Sequence, residues 1–325
     1  MWKDGDIAQA AIWRFEGRMS LPLTEEPEAT EKREGHYLFG GMFFGHFGLF
    51  ITETICRLWA SNDSYDGIVF TPKHANLTHF KKHHRELFKI FGITCPVILL
   101  PTPTRIEKLS IPGQGFGLGA IATGTEEYRN FLRNTVGKVP PNGPEKIYIS
   151  RTKYAATGGL LGEQVLEANL ERAGYVPVYP EKMTWTDQLA LYRAARKIIS
   201  IDTSALHMAG MAADPDKDIA VILRRNNTEH HCMRLQLRGM IGKDILLINS
   251  LVNEYLVPGK KPNHDSWGEA DFNEIRDALV KGGFVDPDVQ WDIPTDEIIQ
   301  ADVAVAESRA KRGLAFTPVE KRYEP

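Results

Sequence analysis

The chain has 325 residues, 42% hydrophobic and 25% charged, which suits two globular domains with a core each. With 39 basic against 42 acidic side chains the net charge is −3, so there is no broad basic field and nucleic acid is excluded as the expected partner. Three scattered cysteines, Cys56, Cys95 and Cys232, form no CxxC pair, which speaks against a zinc ribbon or disulfide framework and for a reducing, cytoplasmic setting.

The opening Met-Trp-Lys-Asp-Gly-Asp has no basic start leading into an apolar run, so no signal peptide is expected. Residues 21–35 are charged, contain two prolines and read as a surface loop. The most apolar stretch, 40–55, holds His46, Thr52, Glu53 and Thr54 and is too short and polar to span a bilayer. Apolar residues at three- and four-residue steps predict a helix over 45–60. A strand over 68–70, a helix over 77–91 stopped by Gly92, and a strand over 96–100 follow. Residues 101–119, with three prolines and four glycines, read as a long loop, and a helix is expected over 126–134.

Pro140-Pro141-Asn142-Gly143-Pro144 reads as a linker. After it, strands over 146–150, 175–179, 198–201, 219–223 and 245–249 alternate with helices over 162–173, 185–195, 205–213 and 229–239. That alternation predicts βαβ units on a parallel sheet, and short, wholly apolar strands fit burial on both faces. One more helix is expected over 265–282, ahead of a tail, 283–325, with proline and charge at its edges. The expected division is an N-terminal α/β domain over 1–139, a Rossmann-like domain over 140–255, and a C-terminal helix and tail over 256–325 placed to pack back on the first domain.

In an open parallel sheet, ligands sit beyond the carboxyl ends of the strands. Arg151, directly after Tyr148-Ile149-Ser150, puts a permanently charged fork there, suited to phosphate oxygens or to pairing with a nearby acid. At Asp202-Thr203-Ser204-Ala205-Leu206-His207 a buried strand turns straight into a helix through small capping residues; its free N–H groups suit an anion, or serve as a plain N-cap. The turn Pro180-Glu181-Lys182-Met183-Thr184, with Asp187 in the next helix, either holds a base or ribose through Glu181 or simply caps that helix.

In the first half, His46, Glu53 and Arg57 are seven and four residues apart and would share one face of a regular helix. A histidine near a glycine-rich helix start, with a carboxylate on its face, suits acid–base chemistry; the other reading is a capping His beside a Glu53–Arg57 surface pair.

Rival signals are weaker. Asp214-Pro215-Asp216 resembles a metal–diphosphate Asp-x-Asp but precedes a strand, as a solvated loop would. His79, His83 and His84, with His74 nearby, are interleaved with Lys81, Lys82 and Arg85, which repel a cation. An exposed basic helix face is expected there, fit for an anionic acceptor or lipid head groups, so a peripheral membrane contact joins the expected partners. Adjacent residues of Glu229-His230-His231-Cys232 point apart on a helix, and the glycines at 113, 115, 117 and 119 lack GxGxxG spacing. No metal site is expected.

Taken together, Gly40-Gly41, Gly45-His46-Phe47, Glu53, Arg57-Leu58-Trp59, Ile149-Ser150-Arg151, Glu163, Val178-Tyr179-Pro180-Glu181, Asp187-Gln188 and the stretch 194–208 resemble glycosyltransferase family 61 in order and spacing. The resemblance covers residues 38–60 and 146–225. It implies an α/β, GT-B-like fold, two Rossmann-like domains facing across a cleft. It also implies inverting transfer of a hexosyl or pentosyl group from a nucleotide-sugar, UDP-linked, to a glycan or polysaccharide acceptor, without an essential metal or other cofactor, in bacterial capsule or surface-polysaccharide biosynthesis. The donor would meet Arg151, Glu181, Thr203, Ser204 and His207, with Asp187 and Asp202 in support; His46, then Glu53, would supply the base, supported by Arg57. The chain departs from the family pattern in two places. Asp202-Thr203-Ser204 stands where the family often has His-Gly-Ala, and in the stretch 157–163 only Glu163 matches. Asp202 brings a negative charge close to where a diphosphate would lie. A non-catalytic glycan- or partner-binding relative would bind no nucleotide, and a nucleotide-sugar epimerase would need no acceptor; these remain the alternatives.

Overall fold

Short apolar runs buried on both faces build the framework of the molecule. The computed structural model describes residues 25–117, 121–154, 158–310 and 312–319, together with four two-residue strands nearer the N-terminus. Residues 21–24, Gly119, Thr157 and the end of the tail, over which some of the sequence expectations run, lie outside the described residues. The four short strands pair antiparallel, β1 (Trp2–Lys3) with β2 (Asp6–Ile7) and β3 (Arg14–Phe15) with β4 (Arg18–Met19). The chain divides into two compact units, the first holding 1–140, 207–212 and 235–240, the second 141–206, 213–234 and 241–325. The break at Pro140 falls in the proline-rich linker, and the tail after residue 256 belongs to the second unit.

In the first unit, β5 (Glu31–Phe43), β6 (Gly67–Pro72), β7 (Val97–Leu99) and β8 (Thr104–Ser110) form one parallel sheet in the order β7-β6-β5-β8. Two of these strands correct the sequence reading. Residues 31–35, expected as loop, open β5; they pair only with β8, beyond the reach of β6, so this overhang stays wet and carries charge. Thr104–Ser110, expected within a long loop, is β8, whose Ile106 and Leu109 pack against Phe39, Val69 and Leu100.

Gly40 and Gly41 are steric requirements. A Cβ at Gly40 would lie 2.3 Å from the Phe70 ring, and Gly41, at φ +109° beside a register shift, lets the Arg57 side chain pass. Of the helix expected over 77–91, only α2 (Lys82–Ile90) forms, so residues 77–81, His79 among them, lie outside it; Gly92, at φ +73°, ends it, and α3 (Glu126–Thr135) follows, its N-cap Thr125 accepting from the Tyr128 N–H.

The helix expected over 45–60 is helical but not uniform. It runs as α1 (Phe47–Leu49), a π turn (Phe50–Thr54) and a 3-10 segment (Ile55–Ala60).

In the second unit, β9 (Lys146–Ile149), β11 (Val176–Val178), β12 (Lys197–Ile201), β13 (Asp218–Ile222) and β14 (Leu246–Ile248) form the expected parallel sheet, ordered β11-β9-β12-β13-β14. They alternate with α4 (Glu163–Arg172), α5 (Trp185–Ala194), α6 (Ala205–Met211) and α7 (Glu229–Ile241). A second sheet, ordered β10-β16-β15-β17, joins β10 (Gly159–Leu160), β15 (Leu251–Leu256), β16 (Trp267–Ala270) and β17 (Ala315–Pro318).

The helix expected over 265–282 is therefore part strand. β16 occupies its start, and α8 (Phe272–Lys281) begins only after Asp271, whose carboxylate caps Asn273 and Glu274 N–H groups. The tail also holds a helix, α9 (Asp296–Arg309), capped by Thr295. Phe272, Ile275 and Leu279 of α8 join Leu166 and Leu170 of α4 and Tyr148, Ile199 and Ile222 of the sheet in one buried cluster.

Candidate functional site

Both parallel sheets reverse their strand order, and the reversal is where ligands of such sheets sit, beyond the carboxyl ends. In the second unit β11 follows β9 on one side while β12 returns to its other side, so the reversal lies between β9 and β12. The residues leaving those two strands are Ser150-Arg151 and Asp202-Thr203-Ser204, the pair of strand ends singled out in the sequence, and they meet. Arg151 Nη1 donates to Thr203 Oγ1 at 3.2 Å, and Nη2 donates to the Gly158 carbonyl at 3.0 Å. The guanidinium carbon lies 4.6 Å from the Tyr154 ring centre.

Beneath Arg151 sits Glu163, in the first turn of α4. One of its oxygens accepts both the Arg151 backbone N–H, at 2.7 Å, and the Tyr148 hydroxyl, at 3.0 Å. Burial pushes the Glu163 carboxyl up to about 7, against those hydrogen bonds and the Arg151 charge. One turn on, Glu167 accepts from three hydroxyls, those of Ser150 at 2.5 Å, Thr152 at 2.8 Å and Tyr179 at 2.8 Å.

The third strand end brings residues that the sequence reading missed. Arg224 and Arg225 follow β13, next to β12. Arg225 grips the Asp202 carboxylate with two hydrogen bonds, of 2.7 and 3.0 Å, and Asp202 is only 1% exposed. Arg224 donates to the Asp202 and Ser266 carbonyls at 2.9 and 3.0 Å. Burial alone would raise the Asp202 carboxyl, but Arg225 and Arg224 outweigh it and hold it below the usual carboxylate range. Asp202 is thus neutralised inside the protein, which corrects the expectation that it sets a bare negative charge beside a ligand phosphate. Arg151, Arg224 and Arg225 face Asp202, Glu163 and, beside Arg225, the buried Glu254; burial raises both glutamates, which trims the negative charge set against the three guanidinium groups. With seven residues, α6 adds little dipole, and the guanidinium groups dominate. The strand-end rule that singled out Arg151 would also have found Arg224-Arg225, which follows the predicted strand, 219–223, directly.

The other residues named for this site take different places. Ser204 is half-buried beside Thr203. Glu181 is exposed in the 3-10 turn after the edge strand β11. Asp187 accepts the Thr184 hydroxyl at 2.7 Å while Thr184 caps α5. His207 Nδ1 and Gln236 Oε1 are 2.5 Å apart, and Gln236 also donates to the His207 carbonyl at 3.1 Å, which ties α6 to α7.

In the first unit the reversal lies between β5 and β8. His46 leaves β5 as the exposed N-cap residue of α1, while Glu53 and Arg57 are buried. The expected shared face of His46, Glu53 and Arg57 does not hold, because the pitch changes through the π and 3-10 turns and constant angular spacing is lost. Glu53 and Arg57 instead underlie the loop after β8. Arg57 donates to the Pro112 carbonyl, Trp59 to the Gly113 carbonyl at 3.1 Å, and the Gly115 N–H to the Cys56 carbonyl at 2.8 Å. A Cβ at Gly115 would lie 2.7 Å from the Trp59 ring and one at Gly117 3.5 Å from Glu53 Oε1, so these glycines serve close packing.

Among the described residues no group of three or more His, Cys, Asp and Glu side chains could hold a metal ion. Asp214 pairs with Lys217 and Asp216 with Arg196 at the amino end of β13, away from the ligand edge. His84, expected on an exposed basic face, is fully buried and stacks on Phe50, and burial lowers its pKa to about 3. Among the described residues no helix is long and apolar enough to cross a membrane.

No curated protein matches the chain. The family model described as Glycosyltransferase 61 matches residues 44–219, more than half of the chain, from the residue after β5 into β13. The match takes in His46, Glu53, Arg57, Arg151, Glu163 and Asp202–Ser204 and stops short of Arg224 and Arg225. The chain belongs to glycosyltransferase family 61.

Proposed function

We propose that this protein is an inverting, GT-B-like transferase that moves a hexosyl or pentosyl group from a UDP-linked sugar to a glycan or polysaccharide acceptor, in the cytoplasm, during bacterial capsule or surface-polysaccharide synthesis. Its family makes it a glycosyltransferase acting on a sugar donor and an acceptor. The observation that carries the finer reading is Arg151 bonded to Thr203 at the β9–β12 reversal, in a cluster of three arginines.

Preorganised guanidinium groups at that edge stabilise charge on the departing diphosphate. They supply the positive charge themselves, so the reading calls for no essential metal, and turnover should survive chelator treatment. His46, exposed beyond β5, is the base that takes the acceptor proton; buried Glu53 and Arg57 support the segment that carries it.

The test is a pair of variants. Arg151→Ala should abolish the thermal shift that UDP gives the parent protein; an unchanged UDP affinity would sink the donor site. His46→Ala should lower turnover by about 10²–10⁴-fold and leave UDP binding intact. Near-full activity in that variant would remove His46 as the base.

A further inference from the structure

Helix α2 turns two unlike faces to its surroundings. His84, Leu87 and Phe88 are buried. Lys82, Arg85 and Lys89, three and four positions apart, are exposed along the other side and form no ion pair among the described residues. Lys81, His79, His74 and Lys73 carry the exposed, basic surface back to the end of β6. Over residues 73–89 five Lys and Arg side chains stand against one acid, Glu86, in a chain whose net charge is −3.

This surface borders the edge of the first unit that carries His46. β5 and β6 are parallel neighbours, with Phe43 opposite Pro72, and the Lys73 N–H donates to the Phe43 carbonyl at 3.0 Å. The chain toward Lys73 and the chain toward His46 therefore leave the sheet side by side.

We propose that the α2 face binds an acidic glycan: the acceptor carries carboxylate groups, and Lys82, Arg85 and Lys89 hold the part of it that extends from His46. The proposal rests on the transferase reading, with the acceptor on the first unit. A membrane fits less well. A helix lying in a lipid interface turns its apolar face outward, whereas α2 buries its own, and the large exposed hydrophobics among the described residues, Tyr154, Val176, Ile293, Val305 and Phe316, are all elsewhere. Single exposed cations contribute little, but several facing a polyvalent anion add up, and salt screens them.

The probe is an oligogalacturonate, with its methyl ester as a neutral control of equal length. The parent protein should bind the acid form about tenfold or more tightly than the ester at low salt, and added salt should erase the difference. Lys82→Glu with Arg85→Glu and Lys89→Glu should abolish the preference while the UDP thermal shift stays as in the parent. The corresponding triple alanine variant, which introduces no new repulsion, keeps the test readable if charge reversal impairs folding. Equal affinity of the parent for acid and ester, or a preference that survives in the variants, overturns the proposal. Binding to phosphatidylserine-rich vesicles without binding to the acid oligosaccharide also overturns it and gives the face to a membrane. A parent protein that prefers the acid form but shows no UDP shift would sink the donor reading and leave this one standing.

Discussion

The strand reversal of the second unit is furnished with charge, and that of the first with shaped backbone. Between β9 and β12, guanidinium groups are fixed by carboxylates and carbonyls, with the Arg225–Asp202 pair sealed inside. Between β5 and β8, a helix of changing pitch and a glycine-bearing loop lock together through carbonyl contacts to Arg57 and Trp59. The first arrangement suits a small, highly charged group, and the second a larger surface whose contour matters more than its potential. One parallel-sheet plan supports both because the reversal fixes only where the ligand goes, and the residues just past the strands decide what it is.

Substitutions can break or sharpen this contrast. The largest effect should come from Arg225→Met, which leaves the Asp202 carboxylate buried without its partner, at a cost of about 3–5 kcal/mol in denaturant unfolding. Adding Asp202→Asn should restore much of that loss. If the single variant loses less than about 1 kcal/mol, the second reversal does not depend on this buried pair.

Next, Gly41→Ala should cost about 2 kcal/mol, since it sits at φ +109° with its Cβ 3.3 Å from the Arg57 side chain. The UDP thermal shift should persist in that variant; its loss would show that the two reversals are not independent. A smaller effect, about 1–2 kcal/mol, is expected for Arg57→Lys, which cannot reproduce the planar donor that reaches Pro112. Faster proteolysis within residues 111–117 should accompany it, and an unchanged cleavage pattern would remove Arg57 as the anchor of that loop.

The smallest effect concerns pH. The Glu163 carboxyl is raised from 4.5 to about 7, so its contribution to stability is complete below about pH 4.5 and lost as pH rises through about 7. Glu163→Gln does not titrate, so its melting temperature should improve relative to the parent as pH climbs through that range. A difference that does not vary with pH would contradict the buried, titrating carboxyl.

These contrasts also explain what the sequence could and could not disclose. The β–α alternation after Pro144 was readable because its strands are short, apolar and evenly spaced, and Arg151 and Asp202–Ser204 followed from it by the strand-end rule. No strand was expected over 31–43: the charged, wet start of β5 carries no burial signal, and its mostly buried end, 38–43, is an unbroken apolar and glycine run without alternation. β8 lay between proline and glycine clusters that masked its alternation, and β16 ran into α8 without a break in composition. The phase of Glu53 and Arg57 was lost because a periodicity argument assumes one pitch. Asp202 was misjudged because its partner is 23 residues away, at the end of a different strand.

Glu167 draws the hydroxyls of Ser150, Thr152 and Tyr179 onto one carboxylate, beside the edge that carries Arg151. The loss of rotamer freedom in these four side chains is thereby incurred when the protein folds. A ligand reaching Arg151 encounters an edge already set, so its capture is governed by diffusion and charge, and its residence time by the contacts it makes, with little waiting for the protein to rearrange.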